Sequence, residues 1–235
     1  MVIKLEYYDT SKDPRILFAE AVVKNIMDYF KSRKIQHVRR EDFLKKLNNL
    51  CEIMKKIKWS YVSPRNIEER GLLDRLEREL NELKGMVWPV LDKQDDATRK
   101  LMKFLVKTLG TLRERLVDQK LDISNIVATS YVKVMNVEKH PKARNLFIAW
   151  VTDGSETYEI VTNDPTVKRG EVLPLAFLPP KDLLGVISEG MFIGGKKRIR
   201  RVSEELVGQQ PELDAYEKNK LKAEIVAAIK TITKK

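Results

Sequence analysis

The chain has 235 residues, of which 43% are hydrophobic and 34% charged, and its formal net charge is +11. This length allows one large or two modest domains, and no apolar run approaches the roughly twenty residues of a membrane helix. The single cysteine, Cys51, excludes an internal disulfide, and the amino terminus lacks the long apolar stretch of a signal peptide, so we expect a cytoplasmic protein that contacts no membrane.

The basic excess is unevenly distributed along the chain. Residues 1–120 carry 27 Lys and Arg against 19 Asp and Glu, whereas residues 121–210 carry 12 against 11. A basic surface attracts nucleic acid by counterion release without reading its sequence. The abundance of Lys, Arg and Glu is also typical of hyperthermophile proteins, so we expect a thermophile protein.

The first half of the chain has the apolar periodicity of α-helices. Asp13-Pro14 marks a helix start, and the apolar residues that follow recur at steps of three and four. Four such segments are joined by short connections at residues 34–40, 59–65 and 88–95. Narrow apolar stripes of this kind are typical of bundle cores, so residues 1–120 are predicted to form an antiparallel helical bundle.

One lysine-rich stretch of this region lies beside aromatic residues. Lys55, Lys56 and Lys58 directly precede Trp59 and Tyr61. The stretch fits either an RNA backbone contact or a solvated helix face. The second interpretation is favoured, because lysine-rich helices are common in thermophile proteins.

Five short runs rich in β-formers follow, separated by turn signals. Asp153-Gly154, between the second and third runs, is a hairpin signal, and Pro179-Pro180 closes the fourth. Five strands in fewer than eighty residues predict a small closed barrel. The five runs are Val127–Val137, Leu146–Val151, Tyr158–Thr162, Val172–Leu178 and Gly185–Ile193.

Three motifs occur in order within these strands. His140–Leu146 reads His-Pro-Lys-Ala-Arg-Asn-Leu, Leu173–Ala176 reads Leu-Pro-Leu-Ala, and Gly185–Met191 reads Gly-Val-Ile-Ser-Glu-Gly-Met. Together they resemble the tRNA-binding OB domain that is appended to methionyl- and phenylalanyl-tRNA synthetases and found in free-standing tRNA-binding proteins. The resemblance covers less than a third of the chain. It departs from the family pattern at Arg144, where the family has an acidic residue, and at Thr162-Asn163.

The resemblance implies a five-stranded OB-fold β-barrel, here over residues 121–203. The whole chain is therefore predicted to be an α+β multidomain protein: a helical bundle over 1–120, the barrel, and a C-terminal helix within 204–235. That helix is expected to begin near Pro211, a favoured first helical residue. Its apolar stripe packs either on the bundle or on a second copy, and free-standing members of the family act as dimers.

OB barrels bind oligonucleotides on strands two and three, between the loop joining strands one and two and the loop joining strands four and five. His140–Leu146 and Pro179–Ser188 are those loops, and Trp150 or Tyr158 would stack on bases if they point outward. His140 is expected to cap its loop rather than bind metal. The predicted nucleic-acid-binding residues are Lys133, Lys142, Arg144, Asn163, Lys181, Ser188, Met191, Lys196, Lys197, Arg198 and Arg200.

Four of these residues belong to Lys196–Arg201, the densest basic run, and are expected to contact phosphates. Ser188 and Met191 are placed in the tRNA contact region by the resemblance alone. Gly185 and Gly190 are expected to be required by the backbone, and Glu189 is expected to be structural or to contact a base edge because it repels phosphate.

These observations predict a non-catalytic tRNA-binding protein, acting alone or with an aminoacyl-tRNA synthetase as partner. There are only two histidines, no cysteine pair for a metal, and Gly194-Gly195-Lys196 lacks the spacing of a phosphate loop. We therefore expect no enzyme activity, cofactor or metal. The alternative is an assembly protein whose helical domain docks a synthetase or another protein while the barrel accompanies it.

Overall fold

The computed structural model describes residues 7–117, 121–195 and 198–233. It divides into two compact units, which we call the helical unit (Met1–Ile126 with Ile229–Lys235) and the β-unit (Val127–Ala228). In the described ranges, none of the helices has the length and apolarity that crossing a membrane would require.

Within its described residues 7–117, the helical unit forms six α-helices in chain order. In its core, α1 packs on α2 and α5, while α4 packs on the same two helices. The stripes predicted from the sequence supply this core: Ile16, Leu47, Leu76 and Leu105 are each at most 1% exposed. The helices are α1 (Pro14–Lys31), α2 (Arg40–Lys58), α3 (Pro64–Glu69), α4 (Leu72–Val87), α5 (Asp96–Gly110) and α6 (Leu112–Val117).

The predicted start of α1 is confirmed, because the Asp13 carboxylate accepts the Arg15 backbone N–H and Pro14 opens the helix. Two details differ from the sequence prediction. The connection after α2 contains the short helix α3, which Ser63 caps. The last predicted stripe is split between α5 and α6 at Gly110 and Thr111, where glycine is a poor helix former.

Two buried arginines tie the helical unit together. Arg15 forms an ion pair of 2.7 Å with Asp13 and donates 2.6 Å to the Arg115 carbonyl oxygen. Arg115 is 3% exposed, and burial lowers its pKa to about 10. Its guanidinium donates to the carbonyl oxygens of Thr108 and Ile126. These bonds hold Ile126, the last residue of the segment Met1–Ile126, against the end of α5.

The β-unit contains a five-stranded antiparallel sheet in the order β3-β2-β1-β4-β5. One face of the sheet supplies a core that includes Val132, Val151, Ile160, Leu173 and Phe177. The strands are β1 (Thr129–Lys139), β2 (Phe147–Thr152), β3 (Thr157–Thr162), β4 (Val172–Leu183) and β5 (Val186–Phe192).

The two edge strands of this sheet are linked by side chains. The Val161 N–H of β3 donates 3.0 Å to Ser188 Oγ of β5, and the Glu159 N–H donates 2.8 Å to Glu189 Oε2. Backbone ladders join the four neighbouring strand pairs, and β3–β5 is not one of them among the described residues. Exposed strand edges normally favour further pairing, and these two bonds occupy two N–H donors on the edge of β3.

β4 is longer than the sequence predicted. It continues past Pro179 and Pro180 to Leu183, so the prediction that the prolines close the strand is wrong. The register between β4 and β5 shifts between Phe177 and Lys181. The prolines therefore lie where the ladder is interrupted and no backbone N–H is needed.

A tight turn joins β4 to β5. Leu184 and Gly185 both have positive φ, at 58° and 95°. Positive φ at both central residues is the signature of a type I′ hairpin turn. The predicted backbone requirement for Gly185 is confirmed.

The C-terminal helix α7 (Ala215–Thr233) begins four residues after Pro211, later than predicted. The segment that leads to it pairs with β1: the Tyr131 N–H donates 2.8 Å to the Gln209 carbonyl oxygen, and the Gly208 N–H donates 2.9 Å back to Tyr131. This pairing extends the hydrogen-bonded part of β1 beyond its ladder with β2.

Gly190 allows the close approach of β4 and β5. A Cβ at this position would lie 2.3 Å from the Ala176 carbonyl oxygen. We expect Gly190→Ala to lower the free energy of unfolding by about 1–3 kcal/mol, because the β4 backbone must shift. Urea unfolding followed by Trp150 fluorescence, with Trp59→Phe and Trp88→Phe as background, measures this.

Gly85→Ala is the matched control for this substitution. Nothing lies within 4 Å of a Cβ built at Gly85 in α4, so the Trp150 transition should not change. A Gly190→Ala chain that unfolds at the parental urea concentration would contradict the packing argument.

Candidate nucleic-acid interface

His140 joins the two motif-bearing loops. Its Nδ1 accepts 3.1 Å from the Lys142 N–H, and its Nε2 lies 3.0 Å from the Leu183 carbonyl oxygen at the end of β4. The ring is therefore the tautomer with the proton on Nε2. Only 4% of His140 is exposed. The predicted loop-capping role of His140 is confirmed.

Lys142 extends across the β4–β5 turn. Its Nζ lies 3.0 Å from the position that a Cβ on Gly185 would occupy, while the lysine as a whole remains exposed. The ammonium group therefore lies where the His140–Leu146 loop meets the β4–β5 hairpin. The sequence placed these segments at one binding surface, and the structure brings them together.

Of four further residues predicted to bind nucleic acid, two lie on the same two segments. Arg144 is exposed in the His140–Leu146 loop, and Lys181 is exposed on β4 opposite Ser188. Asn163 is exposed directly after β3. Lys133 differs from these, because its ammonium pairs with the Glu204 carboxylate.

Ser188 and Met191 are less accessible than the cations. Ser188 is 5% exposed, and its hydroxyl accepts the Val161 N–H and donates 3.0 Å to the Gly190 carbonyl oxygen. Met191 is half-buried opposite Ala176. The Ser188 hydroxyl thus bonds to the protein's own backbone, and RNA contact by either residue stays a prediction.

The two aromatic candidates have different environments. Tyr158 is 5% exposed, packs on Phe177 with 4.7 Å between ring centroids, and donates 3.2 Å to Asp153. Burial, reinforced by the Asp153 charge, raises the pKa of Tyr158 well above its ordinary value. Tyr158 is a core residue and offers no face to a base. Trp150 is half-buried on β2, and its neighbours in the strand, Ala149 and Val151, belong to the core. Successive side chains alternate between faces, so Trp150 projects from the opposite face.

The basic run after β5 is partly described. Lys196 and Lys197 lie outside the described residues. Arg198 is exposed, with its guanidinium carbon 5.3 Å from the centroid of the Tyr216 ring. Arg200 instead pairs at 3.0 Å with the buried Glu217 carboxylate of α7. Arg200 therefore helps to hold the start of the last helix, and its phosphate contact stays a prediction.

Tyr216 and Lys220 are candidate contacts that the sequence analysis missed. The position of Tyr216 fits the apolar stripe predicted for the C-terminal helix, yet Tyr216 is 40% exposed, and the Lys220 ammonium lies 5.6 Å from its ring centroid. The four-residue spacing between Tyr216 and Lys220 was the available signal, because residues i and i+4 are neighbours on a helix. An aromatic face flanked by two cations suits contact with nucleic acid.

Among the described residues, the interface has no candidate metal site. Within residues 7–117, 121–195 and 198–233, no group of three or more His, Cys, Asp or Glu side chains is placed to hold a metal ion. The arrangement of cations, a half-buried tryptophan and exposed backbone turns suits binding to a polyanion.

Two protein families match separate parts of the chain. The family described as "Putative tRNA binding domain" matches residues 130–218. The family described as "Alpha helical domain" matches residues 7–118. The resemblance found in the three sequence motifs is therefore confirmed, because residues 130–218 match this family.

Individual relatives share this second part of the chain. The phenylalanine–tRNA ligase beta subunit of Leptospira biflexa serovar Patoc is 37% identical over 83 residues, which is 32% of this chain and 10% of the relative. The phenylalanine–tRNA ligase beta subunit of Leptospira borgpetersenii serovar Hardjo-bovis is 40% identical over 75 residues, which is 28% of this chain and 9% of the relative. The crystal structure of a MetRS-related protein from Pyrococcus horikoshii is 27% identical, covers 40% of this chain and 99% of that chain, and has a TM-score of 0.35. The chain spans about a tenth of the length of the curated relatives it matches.

Removing the His140 ring should loosen its loop. His140→Ala takes away the acceptor of the Lys142 N–H, which we expect to lower local stability by about 1–3 kcal/mol. Amide hydrogen exchange at Lys142, followed by NMR, should become about tenfold faster. His37→Asn is the control, because His37 is exposed and asparagine tolerates its φ of 63°. Unchanged exchange at Lys142 would show that the ring does not hold the loop.

Removing the Ser188 hydroxyl should weaken the link between the sheet edges. Ser188→Ala leaves the buried Val161 N–H without its acceptor, an expected loss of about 1–3 kcal/mol. Thermal unfolding measures the loss, and Ser203→Ala, at an exposed serine whose side chain makes no helix-cap hydrogen bond, is the control. Parental stability combined with weakened tRNA binding would contradict this prediction and assign the hydroxyl to RNA.

Proposed function

We propose that the chain is a non-catalytic tRNA-binding protein whose β-unit holds tRNA on the surface between the His140–Leu146 loop and the β4–β5 hairpin. The observation that carries this proposal is the convergence of the two motif segments. His140 joins them, and Lys142 lies across the turn at Gly185. The family match to residues 130–218 gives the class of nucleic acid.

The β-unit acts as a closed OB-type barrel in this proposal. The strand order supports it, because β1 pairs with both β2 and β4 while β3 and β5 are left at the edges. The bonds from Val161 to Ser188 and from Glu159 to Glu189 bring those edges together. A closed barrel would leave no strand edge available for unwanted pairing. In the helical unit, the packing of four long helices supports the antiparallel bundle expected from the sequence.

tRNA would be bound by charge and shape. Lys142, Arg144 and Lys181 are exposed on the converging segments and would contact phosphates. Trp150 and Tyr216 would contact unpaired bases. Arg198 and Lys220 flank the Tyr216 ring and would hold the adjoining backbone. The contacts predicted for Lys133, Asn163, Ser188, Met191, Lys196, Lys197 and Arg200 belong to the same proposal.

The wider setting of this activity is also proposed. An aminoacyl-tRNA synthetase is a fitting partner, because the relatives of residues 130–218 include phenylalanine–tRNA ligase beta subunits. The expected domain boundaries, homodimer, cytoplasmic location and thermophile origin are part of the same hypothesis.

Filter binding of total tRNA across a range of salt concentrations tests the surface. In the double variant Lys142→Ala/Lys181→Ala, affinity should fall about tenfold. The slope of log affinity against log salt should become shallower by about 1.4–1.8, since each lost phosphate contact removes about 0.7–0.9. The recovered tRNA should be unchanged.

The control double variant is Lys168→Ala/Arg169→Ala, which removes two exposed cations from the connection between β3 and β4. It should bind like the parent chain. Equal losses in both double variants would contradict the proposed surface. A parent chain that captures a synthetase but binds no tRNA would favour the assembly function, and chemical change of the tRNA would indicate an enzyme.

A further inference from the structure

Three aromatic side chains are exposed beside one another where α2 ends. Tyr7 is 76% exposed, Trp59 55% and Tyr61 39%. The Tyr7 and Tyr61 rings are parallel within 3°, with centroids 6.4 Å apart, and the Trp59 centroid lies 6.1 Å from that of Tyr61. We call these three residues the aromatic shelf. Large aromatic side chains are usually buried. Three of them exposed together therefore indicate a binding surface.

The backbone beneath the shelf is held in a fixed conformation. Tyr61 has φ of 51°, which is uncommon for a residue other than glycine. Its N–H donates 3.1 Å to Thr10 Oγ1, and the fully buried Thr10 hydroxyl donates 2.7 Å to the Lys58 carbonyl oxygen. An isolated β-bridge pairs Tyr7 with Val62. The rings are therefore presented by an ordered scaffold, and strained backbone held in this way is typical of binding sites.

The surroundings of the shelf contain four lysines, of which Lys12, Lys55 and Lys58 pair with carboxylates. The last turn of α2 carries Lys55, Lys56 and Lys58. The Lys58 ammonium lies 5.0 Å from the Trp59 ring centroid and pairs at 2.8 Å with Glu20. Lys12 is exposed and pairs with Asp9 at 2.9 Å. Cations beside open aromatic faces are the combination that binds single-stranded nucleic acid, since the rings stack on bases and the ammonium groups attract phosphates.

We propose that the aromatic shelf stacks unpaired bases of an RNA strand, with the lysines at the end of α2 contacting the adjoining phosphates. The exposed area is made of flat rings, and every base offers a matching π-face whatever its identity. The site would therefore bind RNA with little sequence preference. It lies in the helical unit, and its residues are distinct from those of the tRNA surface proposed for the β-unit.

The experiment uses the full chain with Trp88→Phe and Trp150→Phe, so that Trp59 is the sole tryptophan. Ten-nucleotide oligoadenylate RNA is titrated in, and Trp59 fluorescence should be quenched saturably as a base stacks on the ring. Adding Tyr7→Leu and Tyr61→Asn should weaken the affinity measured by quenching about tenfold, within the range expected for lost base stacking. Asparagine is chosen because it tolerates the positive φ of Tyr61.

Two further measurements separate the shelf from the β-unit. Quenching should persist when Lys142→Ala/Lys181→Ala is added, and it should persist even if the chain binds no tRNA through the β-unit. In the chain with natural tryptophans, Trp59→Leu should weaken oligoadenylate binding more than Trp88→Leu. Trp88 is a matched control because its ring also lies beside a lysine, with Lys84 Nζ 5.2 Å from the ring centroid.

Three outcomes would overturn the proposal. The first is an absence of saturable quenching, and the second is equal affinity with and without the Tyr7 and Tyr61 rings. The third is quenching by a ten-residue proline peptide while the RNA has no effect, which would assign the shelf to a protein ligand, because proline-rich segments also dock on aromatic surfaces.

Discussion

The β-unit depends on two side-chain hydrogen bonds that link its edge strands, β3 and β5. Ser188 Oγ and Glu189 Oε2 accept the N–H groups of Val161 and Glu159, which an edge strand would otherwise present to solvent or to another chain. Because these acceptors lie on β5, they also fix the position of β5 relative to β3. The tRNA surface that we propose includes Lys181, which lies opposite Ser188 on β4, so the shape of that surface depends on these two bonds.

The loop side of the same unit is fixed by a second set of contacts. His140 bonds to the backbone on both sides of its ring, and Lys142 fits over Gly185 because no side chain is present there. Neutral hydrogen bonds therefore set the positions of the positive charges. An arrangement of this kind keeps the cations available for phosphates, because they are not required to hold the loops together.

The sequence was most informative where a local rule decides the structure. The start of α1 followed from Asp13-Pro14, the apolar stripes identified the helical core, and the glycines at 185 and 190 mark a turn and a close approach. It was least informative where side-chain direction depends on partners distant in the chain. The hydrogen bond between Ser188 and the Val161 N–H and the burial of Tyr158 both depend on how the strands are paired. Neither follows from the alternation of side chains along a strand unless the strand register is known. The passage of β4 through two prolines depends on a register shift, which no local pattern reveals. Tyr216 was misjudged because its spacing fits an apolar stripe as well as a cation-flanked surface.

The bonds made by Arg115 bear on how the protein could be divided into fragments. Its buried guanidinium donates to the carbonyl oxygens of Asn125 and Ile126, well beyond the end of α6. A helical fragment that stops at Val117 would retain the arginine but lose these acceptors, which leaves a desolvated cation poorly compensated. A fragment extended through Ile126 keeps both. The natural place to cut the chain is therefore at the start of the sheet rather than at the last helical residue.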